Sequence, residues 1–251
     1  MLLCQEIFCI IFVMKDIKAL FIDCDGVLYD KRECTYHDIA IVGLGKTLDV
    51  LGMPQSELAP ARAKLKANGV HGLLNAVLEL CKQHHVQFDA FAHEMAQQVD
   101  YSRISEDWAM LKLLRECGSH MPIYIVTNNT RPHLDKIFAC LRGGSIFEDL
   151  HKSLNVKSIA IEDTLKDGVF HPKKAGTQLA DLCSQIGEKP ENVLLLDDTQ
   201  DVCDAAMAQG LQVQQIESPY DTKMILRRMI YEKSRPKTTL PVRKTRRLFG
   251  R

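Results

Sequence analysis

An apolar run that ends in two closely spaced carboxylates is the feature that most restricts how this chain folds. Residues 18–22 are predicted to form a short buried strand, and Asp23, Asp25 and Gly26 follow it directly. Because side chains alternate along a strand, Asp23 and Asp25 are expected to point to the same side. Two carboxylates this close repel each other unless a cation or a shared proton compensates. The pair is therefore a candidate Mg²⁺ site at the carboxyl edge of a sheet, where open α/β folds bind ligands.

A second apolar run, residues 122–126, ends in Thr127 and Asn128. The Thr127 hydroxyl and the backbone N–H groups beside Asn128 can hold phosphoryl oxygens. The N-terminus of a helix predicted over residues 131–141 adds to this attraction. Either residue can also act as the N-cap of that helix. The two roles are compatible, and both stay open.

A third apolar run, residues 192–196, ends in Asp197 and Asp198, and Asp201 follows after a short spacing. Carboxylates in this position can bind a metal ion. They can also simply cap the helix predicted over residues 201–209, because helix N-termini favour acidic side chains. This segment alone does not decide between the two interpretations.

Taken together, the three segments resemble the motifs of the haloacid dehalogenase-like (HAD) hydrolases. Residues 23–29, Asp-Cys-Asp-Gly-Val-Leu-Tyr, are similar to the first motif of that superfamily. Residues 122–128 are similar to the second motif, a hydrophobic run followed by Thr-Asn. Residues 197–201 are similar to the fourth motif in its short Asp-Asp-x-x-Asp form. The order and the distances along the chain also fit the superfamily.

The resemblance implies a role for each matching residue. Asp23 is expected to attack phosphorus as the nucleophile, and Asp25 to protonate the leaving group and then activate water. Mg²⁺ is expected to bind Asp23, Asp198 and the backbone carbonyl of Asp25, with Asp197 and Asp201 in support. The presence of Asp25 favours phosphate chemistry, because the dehalogenases of the superfamily lack this second aspartate and the metal.

The lysine that balances charge in the superfamily is the point where this sequence departs from the pattern. The superfamily usually has Lys-Pro at the start of the helix before the fourth motif, and this chain has His171-Pro172. Pro172 is expected to open a helix. Lys173 or Lys174 can reach the acidic cluster, and the alternative is that both are solvated surface lysines. A missing lysine would weaken catalysis.

Residues 30–100 are predicted to form an all-helical cap inserted after the first strand. Apolar residues recur with helical spacing in residues 39–51, 54–66, 72–84 and 88–99, and no strand-like alternation interrupts them. In the superfamily, an insert at this point closes over the site and excludes water.

Some features of the cap resemble the pyrimidine 5′-nucleotidase group. They are Leu28-Tyr29, a Gly-x-x-Gly-Leu element at residues 69–73 and a Val-Asp-Tyr link at residues 99–101. This resemblance implies a nucleoside 5′-monophosphate or another small phosphate as the substrate. A sugar-phosphate phosphatase or phosphotransferase is one alternative. A weakly active binding protein that uses its basic tail is the other.

The remaining alternation of apolar segments predicts an α/β fold. We expect a Rossmann-like, mostly parallel sheet with helices on both faces, formed by residues 14–29 and 101–220. Its last strand is predicted at residues 211–216. Residues 1–13 are predicted to be an apolar extension, too short to span a bilayer, which needs about 20 apolar residues.

Residues 221–251 are predicted to be a basic, partly disordered tail. Residues 222–251 carry eleven Lys or Arg against one acid, although the whole chain has 32 of each charge. An anionic partner for this tail is one interpretation. The other is a solubilising arm, or an arm that docks on the acidic body of the same protein. The sequence does not indicate which oligomeric state the protein adopts.

The nine cysteines are scattered, without Cys-x-x-Cys pairs or zinc-type spacing. Cys24 and Cys203 lie beside acids that are predicted to be buried. This pattern favours reduced thiols and a cytoplasmic location over a disulfide framework.

Overall fold

A computed structural model of the protein describes residues 16–35, 38–143 and 156–235. Its centre is a five-stranded sheet in which every neighbouring pair of strands is parallel, in the order β3-β2-β1-β6-β7. The strands are β1 Ala19–Ile22, β2 Ile123–Val126, β3 Val156–Ile159, β6 Val193–Asp197 and β7 Gln212–Gln215. A small antiparallel hairpin of β4 Leu165–Lys166 and β5 Val169–Phe170 stands apart. The predicted α/β fold with a mostly parallel sheet is confirmed.

The three central strands are buried along their whole length because helices cover both faces of the sheet. Their sequences are accordingly continuous apolar runs rather than alternating ones. In the register of the sheet, Leu20 of β1 lies between Ile123 of β2 and Leu194 of β6. The ends of these strands therefore meet at one edge, which places the residues after β1, β2 and β6 side by side.

Helices account for most of the remaining described residues. They are α1 Leu44–Val50, α2 Leu58–Asn68, α3 Val70–Gln83, α4 Phe88–Gln98, α5 Trp108–Gly118, α6 Arg131–Leu141, α7 Gln178–Gln185, α8 Gln200–Ala208 and α9 Pro219–Ser234. A π-helical turn, Asp38–Gly43, leads into α1, and 3₁₀ turns lie at Gln55–Glu57, Ile161–Thr164 and Pro190–Asn192. Helices therefore occupy most of residues 38–98, where the sequence predicts a helical cap.

The prediction that a helix begins at Pro172 is wrong. The chain after Pro172 makes turns, with the Ala175 N–H donating to the Pro172 carbonyl at 2.8 Å, and α7 begins only at Gln178. Gly176 has φ +48°, a left-handed conformation that a regular helix does not tolerate. Strand β3 was not predicted, because it is a short edge strand with Lys157 and Ser158 at its centre.

The predicted tail boundary at residue 221 falls inside a helix that packs on the core. Leu226 and Met229 of α9 are buried, and the Thr222 hydroxyl donates to the Val27 carbonyl at 2.9 Å. Lys223 forms an ion pair with Asp107 at the start of α5. The basic composition hid this helix, because only a few of its side chains, among them Leu226 and Met229, are buried.

The predicted extension, residues 1–13, and the last part of the predicted tail, residues 236–251, lie outside the described residues. Among the described residues, no helix combines the length and apolar character that a membrane crossing requires. The cysteines in this part of the chain are free thiols, and most of them are buried.

Candidate active site

A cavity of about 760 Å³ lies at the carboxyl edge of the sheet, between the strand ends and the helices inserted after β1. From the sheet side it is lined mainly by residues that follow β1, β2 and β6 and by two lysines from the loop after β5: Asp23, Asp25, Asn128, Asn129, Lys173, Lys174 and Asp198. From the inserted helices it is lined mainly by Ile39 and the turn between α2 and α3: Ala67, Asn68, Gly69, Val70 and His71. Asp23 and Asp25 line the same cavity, as strand alternation predicted.

Lys173 forms the centre of the charged cluster. Its Nζ lies 2.7 Å from Asp23 Oδ1 and 2.5 Å from Asp197 Oδ2, and all three side chains are buried. Asn128 fixes the lysine backbone, because its Oδ1 accepts a hydrogen bond from the Lys173 N–H at 2.9 Å. Of the two candidate lysines, Lys173 is therefore the one that reaches the acids.

One lysine does not balance the negative charge here. Asp23, Asp197 and Asp198 each offer a carboxylate oxygen, and these oxygens lie within 4.8 Å of one another. Burial raises the pKa of Asp23 well above its ordinary value, and the charges of Asp197 and Asp25 raise it further, against the lowering effect of Lys173. The surplus of carboxylate oxygens in a small space is the donor set that suits a hard divalent cation such as Mg²⁺.

Asp198 is the most accessible member of the cluster. Its Oδ2 lies 2.7 Å from Lys31 Nζ, and the Lys31 side chain is two-thirds exposed at the mouth of the cavity. Asp197, in contrast, is completely buried, and its second oxygen accepts the Thr199 N–H at 3.0 Å. The two neighbouring acids therefore differ in position: Asp197 is held by the protein, and Asp198 faces the cavity.

Gly26 allows this close approach of the loop after β1 to Asp198. It has φ +80°, and a Cβ added there would lie 2.7 Å from Asp198 Oδ2. A glycine is required both by the backbone conformation and by the space that the carboxylate occupies.

Asp25 lies beside the cluster, and its side chain is turned to a different set of partners. Its Oδ1 accepts hydrogen bonds from the Tyr29 hydroxyl at 2.5 Å and from His133 Nε2 at 3.0 Å. Its Oδ2 accepts one from Asn129 Nδ2 at 2.7 Å. Burial works to raise the pKa of Asp25, but the interactions with His133, Tyr29 and Asn129 outweigh it and lower the pKa to about 2. The Asp25 carboxylate is thus ionised and almost completely satisfied.

Comparisons with known proteins bear on the fold. No protein-family model and no curated protein matches this sequence. Two similar solved structures are a variant of CbbY from Rhodobacter sphaeroides in complex with xylulose 1,5-bisphosphate and the HAD hydrolase YfnB from Bacillus subtilis bound to magnesium. The first has 18% identity and a TM-score of 0.51, covering 81% of this chain and 89% of that chain. The second has 14% identity and a TM-score of 0.50, covering 85% of this chain and 100% of that chain.

This chain has the fold of the HAD-superfamily hydrolases. At such low identity the likeness concerns the fold alone. Roles for individual residues must therefore come from the geometry of the site itself.

The structure places two of the predicted site residues away from the acidic cluster. Lys174 Nζ lies 3.2 Å from Asp201 Oδ2, and the Asp201 side chain is 72% exposed. Asp201 is in the first turn of α8, where the helix directs it outward. Lys174 lines the cavity, but the acid it contacts is this surface aspartate.

Thr127 and Asn128 both follow β2, as predicted, but they differ in access. Asn128 lines the cavity, whereas Thr127 is buried and its Oγ1 accepts the Asn129 N–H at 3.0 Å. Neither residue is the N-cap of α6, because the residue at that position is Thr130. The capping alternative for Thr127 and Asn128 is therefore wrong.

The sequence analysis did not predict the three side chains that bond to Asp25, which are Tyr29, Asn129 and His133. It also did not predict the contact of Tyr101 with His133. His133 was detectable in principle, since it is a polar residue on the buried face of α6 together with Leu134, Ile137, Phe138 and Leu141. A polar side chain on such a face requires a partner, and the partner is a carboxylate far away in the sequence.

Proposed function

We propose that the protein is a Mg²⁺-dependent phosphomonoester hydrolase that acts through an aspartyl-phosphate on Asp23. The observation that carries the proposal is the position of Lys173 Nζ between Asp23 and Asp197, beside Asp198 and at the wall of the cavity. A carboxylate with a lysine and an acidic metal-type cluster next to it is suited to attack a phosphate ester. The contact of Lys173 with Asp23 also supports an active enzyme over a weakly active protein, since a lysine is present beside the acids although His171 stands before Pro172.

Asp23, Asp198 and the backbone carbonyl of Asp25 are the groups we propose to hold Mg²⁺. Bound there, Mg²⁺ supplies positive charge that offsets the repulsion among the carboxylates and attracts a phosphate oxygen. A positive charge also lowers the pKa of Asp23, against the effect of burial, and so favours the ionised form of the nucleophile.

The reaction then follows from the residues in two steps. When the dianionic phosphate binds, its charge disfavours the Asp25 carboxylate, which takes up a proton from solvent. An Asp23 carboxylate oxygen forms a bond to phosphorus while the ester oxygen leaves with this proton. A water molecule then attacks the same phosphorus, the bond to Asp23 breaks, and Asp25 accepts a proton of the water. Inorganic phosphate and the alcohol are released, Asp25 returns its proton to solvent, and both aspartates are again in their starting state.

Residues on the cavity wall are proposed to hold the transferring group. Lys173 and the amide of Asn128 are available there, and we expect the role of Thr127 to be indirect, through the loop that it braces. Lys174 is proposed to pair with Asp201 and to make no contact with the phosphoryl group.

The substrate is proposed to be a small phosphate, with a nucleoside 5′-monophosphate as the first candidate. A cavity of about 760 Å³ falls in the usual range for ligand sites, about 300–1,000 Å³. Its cap side combines apolar walls at Ile39 and Val70 with polar side chains at Asn68 and His71, a mixture that suits a sugar and a ring.

The test is Mg²⁺-dependent release of inorganic phosphate from a panel of nucleoside, sugar and artificial monophosphates. We expect turnover that requires Mg²⁺, that ends on addition of a chelator and that Asp23→Asn abolishes while the fold is kept. Mass spectrometry of the variant excludes deamidation back to aspartate. Wild-type protein that releases no phosphate from any member of the panel contradicts the proposal. A preference for sugar phosphates over nucleotides corrects only the substrate.

A further inference from the structure

A chain of buried polar groups runs from Asp25 away from the cavity. His133 Nε2 lies 3.0 Å from Asp25 Oδ1, and His133 Nδ1 lies 2.9 Å from the Tyr101 hydroxyl. His133 is 2% exposed and Tyr101 is 7% exposed. Neither residue lines the cavity, so neither is placed to touch a substrate. The proposed reaction steps use Asp25 but give no role to the groups behind it.

The partners of Asp25 come from separate parts of the chain. Tyr29 belongs to the loop after β1, Asn129 to the loop after β2 and His133 to the first turn of α6. Tyr101 belongs to the segment that joins α4 to α5. Burying polar groups is unfavourable unless they are hydrogen-bonded, and a network is stable only when its members are satisfied. The Asp25 carboxylate is thus held by its own loop, by residues 129–133 and, through His133, by Tyr101.

The geometry leaves Asp25 one direction in which to react. A carboxylate has about four acceptor positions. Three of them are taken by Tyr29, His133 and Asn129, and the side chain of Asp25 still lines the cavity. The remaining position is therefore the one available to a substrate oxygen or to a water molecule.

Tyr101 fixes His133 in turn. His133 Nε2 faces the Asp25 carboxylate at 3.0 Å, and His133 Nδ1 faces the Tyr101 hydroxyl at 2.9 Å. A hydroxyl can donate or accept a hydrogen bond, so Tyr101 can pair with Nδ1 in either of its states. The ring is held in one orientation by groups on both of its sides.

We propose that His133, supported by Tyr101, is a positioning residue that aims the Asp25 carboxylate at the departing oxygen of the substrate. This inference rests on the proposed phosphatase function. It assigns to His133 no contact with substrate and no proton transfer of its own. Its effect is confined to the step in which Asp25 gives a proton to the leaving group.

The test uses three esters of similar size whose leaving groups need increasing help from an acid: 4-nitrophenyl, phenyl and benzyl phosphate. The measured quantity is kcat/KM, which reports on the steps up to transfer of the phosphoryl group. We expect His133→Phe to lower kcat/KM for benzyl phosphate at least about tenfold more than for 4-nitrophenyl phosphate, since general acid catalysis contributes about 10²–10⁴-fold. His133→Gln keeps an N–H near the place of Nε2 and is expected to restore most of the loss on benzyl phosphate.

Tyr101→Phe removes one oxygen atom and is expected to act in the same direction with a smaller ratio. Tyr124→Phe is its matched control, because Tyr124 is a buried tyrosine that packs against Phe21 in another part of the core. If His133→Phe does not fold, as judged by circular dichroism, Tyr101→Phe carries the test.

A folded variant that loses activity equally on all three esters, or on none, overturns the proposal, because a merely structural role does not depend on the leaving group. Failure of the phosphatase function itself is distinguishable. It appears in the wild-type protein, which then hydrolyses none of the three esters with Mg²⁺ present.

Discussion

Lys173 Nζ lies 2.7 Å from Asp23 Oδ1, and the same atom lies 2.5 Å from Asp197 Oδ2. A single buried ammonium group thus ties the end of β1 to the end of β6. The two carboxylates raise the pKa of Lys173 against the lowering effect of its burial, so the lysine stays charged. The same contact that we propose for catalysis also supports the fold.

We expect Lys173→Ala to reduce turnover at least about tenfold, the scale of losing an electrostatic contact to a phosphoryl group. It should also lower the free energy of unfolding by about 3–5 kcal/mol, since a buried carboxylate loses its partner. Lys174→Ala is the matched control, and we expect it to leave turnover within about twofold because its contact is with the surface residue Asp201. Equal effects of the two substitutions on turnover contradict this assignment. Steady-state kinetics and denaturant unfolding provide the measurements.

We expect Asp198→Ala to weaken Mg²⁺ binding and Asp201→Ala to leave it unchanged. Asp198 shares the acidic cluster with Asp23 and Asp197, whereas Asp201 is largely exposed in the first turn of α8. Isothermal titration calorimetry gives the affinity directly. Thermal unfolding gives an independent readout, because a ligand at 100 times its Kd stabilises the native state by about 2.7 kcal/mol. Mg²⁺ should raise the Tm of the wild type and of Asp201→Ala but not that of Asp198→Ala. Normal Mg²⁺ binding by Asp198→Ala would mean that the metal site lies elsewhere.

The chain from Asp25 to Tyr101 shows where prediction from the sequence reached its limit. The fold followed from apolar runs of strand length, and the acids after β1 and β6 were found because strand ends meet at one edge of a parallel sheet. Hydrogen bonds such as that between His133 and Asp25 connect residues 108 positions apart. Local periodicity contains no information on such a pairing. The sequence did not decide between Lys173 and Lys174, because the position of each lysine depends on the turns before α7. A helix starting at Pro172 would place the two side chains differently.

The same limit applied to α9. Its apolar residues, among them Leu226 and Met229, recur at helical spacing, but net charge dominated the interpretation of this segment. Composition describes which residues face water, and a helix on the surface of a domain needs only a few buried side chains to pack.

We expect Gly26→Ala to impair metal binding as well as stability. The positive φ costs about 1–2 kcal/mol for a residue with a Cβ, and the new methyl group would meet Asp198 Oδ2. Gly52→Ala is the matched control, because Gly52 has φ +65° but has nothing within 4 Å of an added Cβ. Both variants should lose stability in thermal unfolding, and only Gly26→Ala should lose Mg²⁺ affinity in calorimetry. Equal Mg²⁺ affinities for the two variants would show that the loop after β1 yields without moving Asp198.

We expect α9 to be needed for the fold and the residues after it to be dispensable for activity. Deletion of residues 236–251 should leave turnover on a small phosphate ester within about twofold. Such a change in activation free energy is well below the 1.4 kcal/mol that corresponds to a tenfold change in rate. Deletion of residues 219–251 should destabilise the protein severely, because it exposes the sites of Leu226 and Met229, each worth about 1.5–3 kcal/mol of burial. It also removes the Thr222 hydrogen bond to the Val27 carbonyl in the loop after Asp25. Circular dichroism, thermal unfolding and phosphate release separate the two deletions.

Residues 236–251 contain six basic residues, whose role needs a separate test. If they bind an anionic partner, the shorter deletion should abolish the salt-sensitive part of binding to heparin or to anionic vesicles, because screening weakens contacts between exposed charges. If the protein lacking residues 236–251 folds but is inactive, this expectation is contradicted. A basic residue beyond 235 would then contribute to the active site.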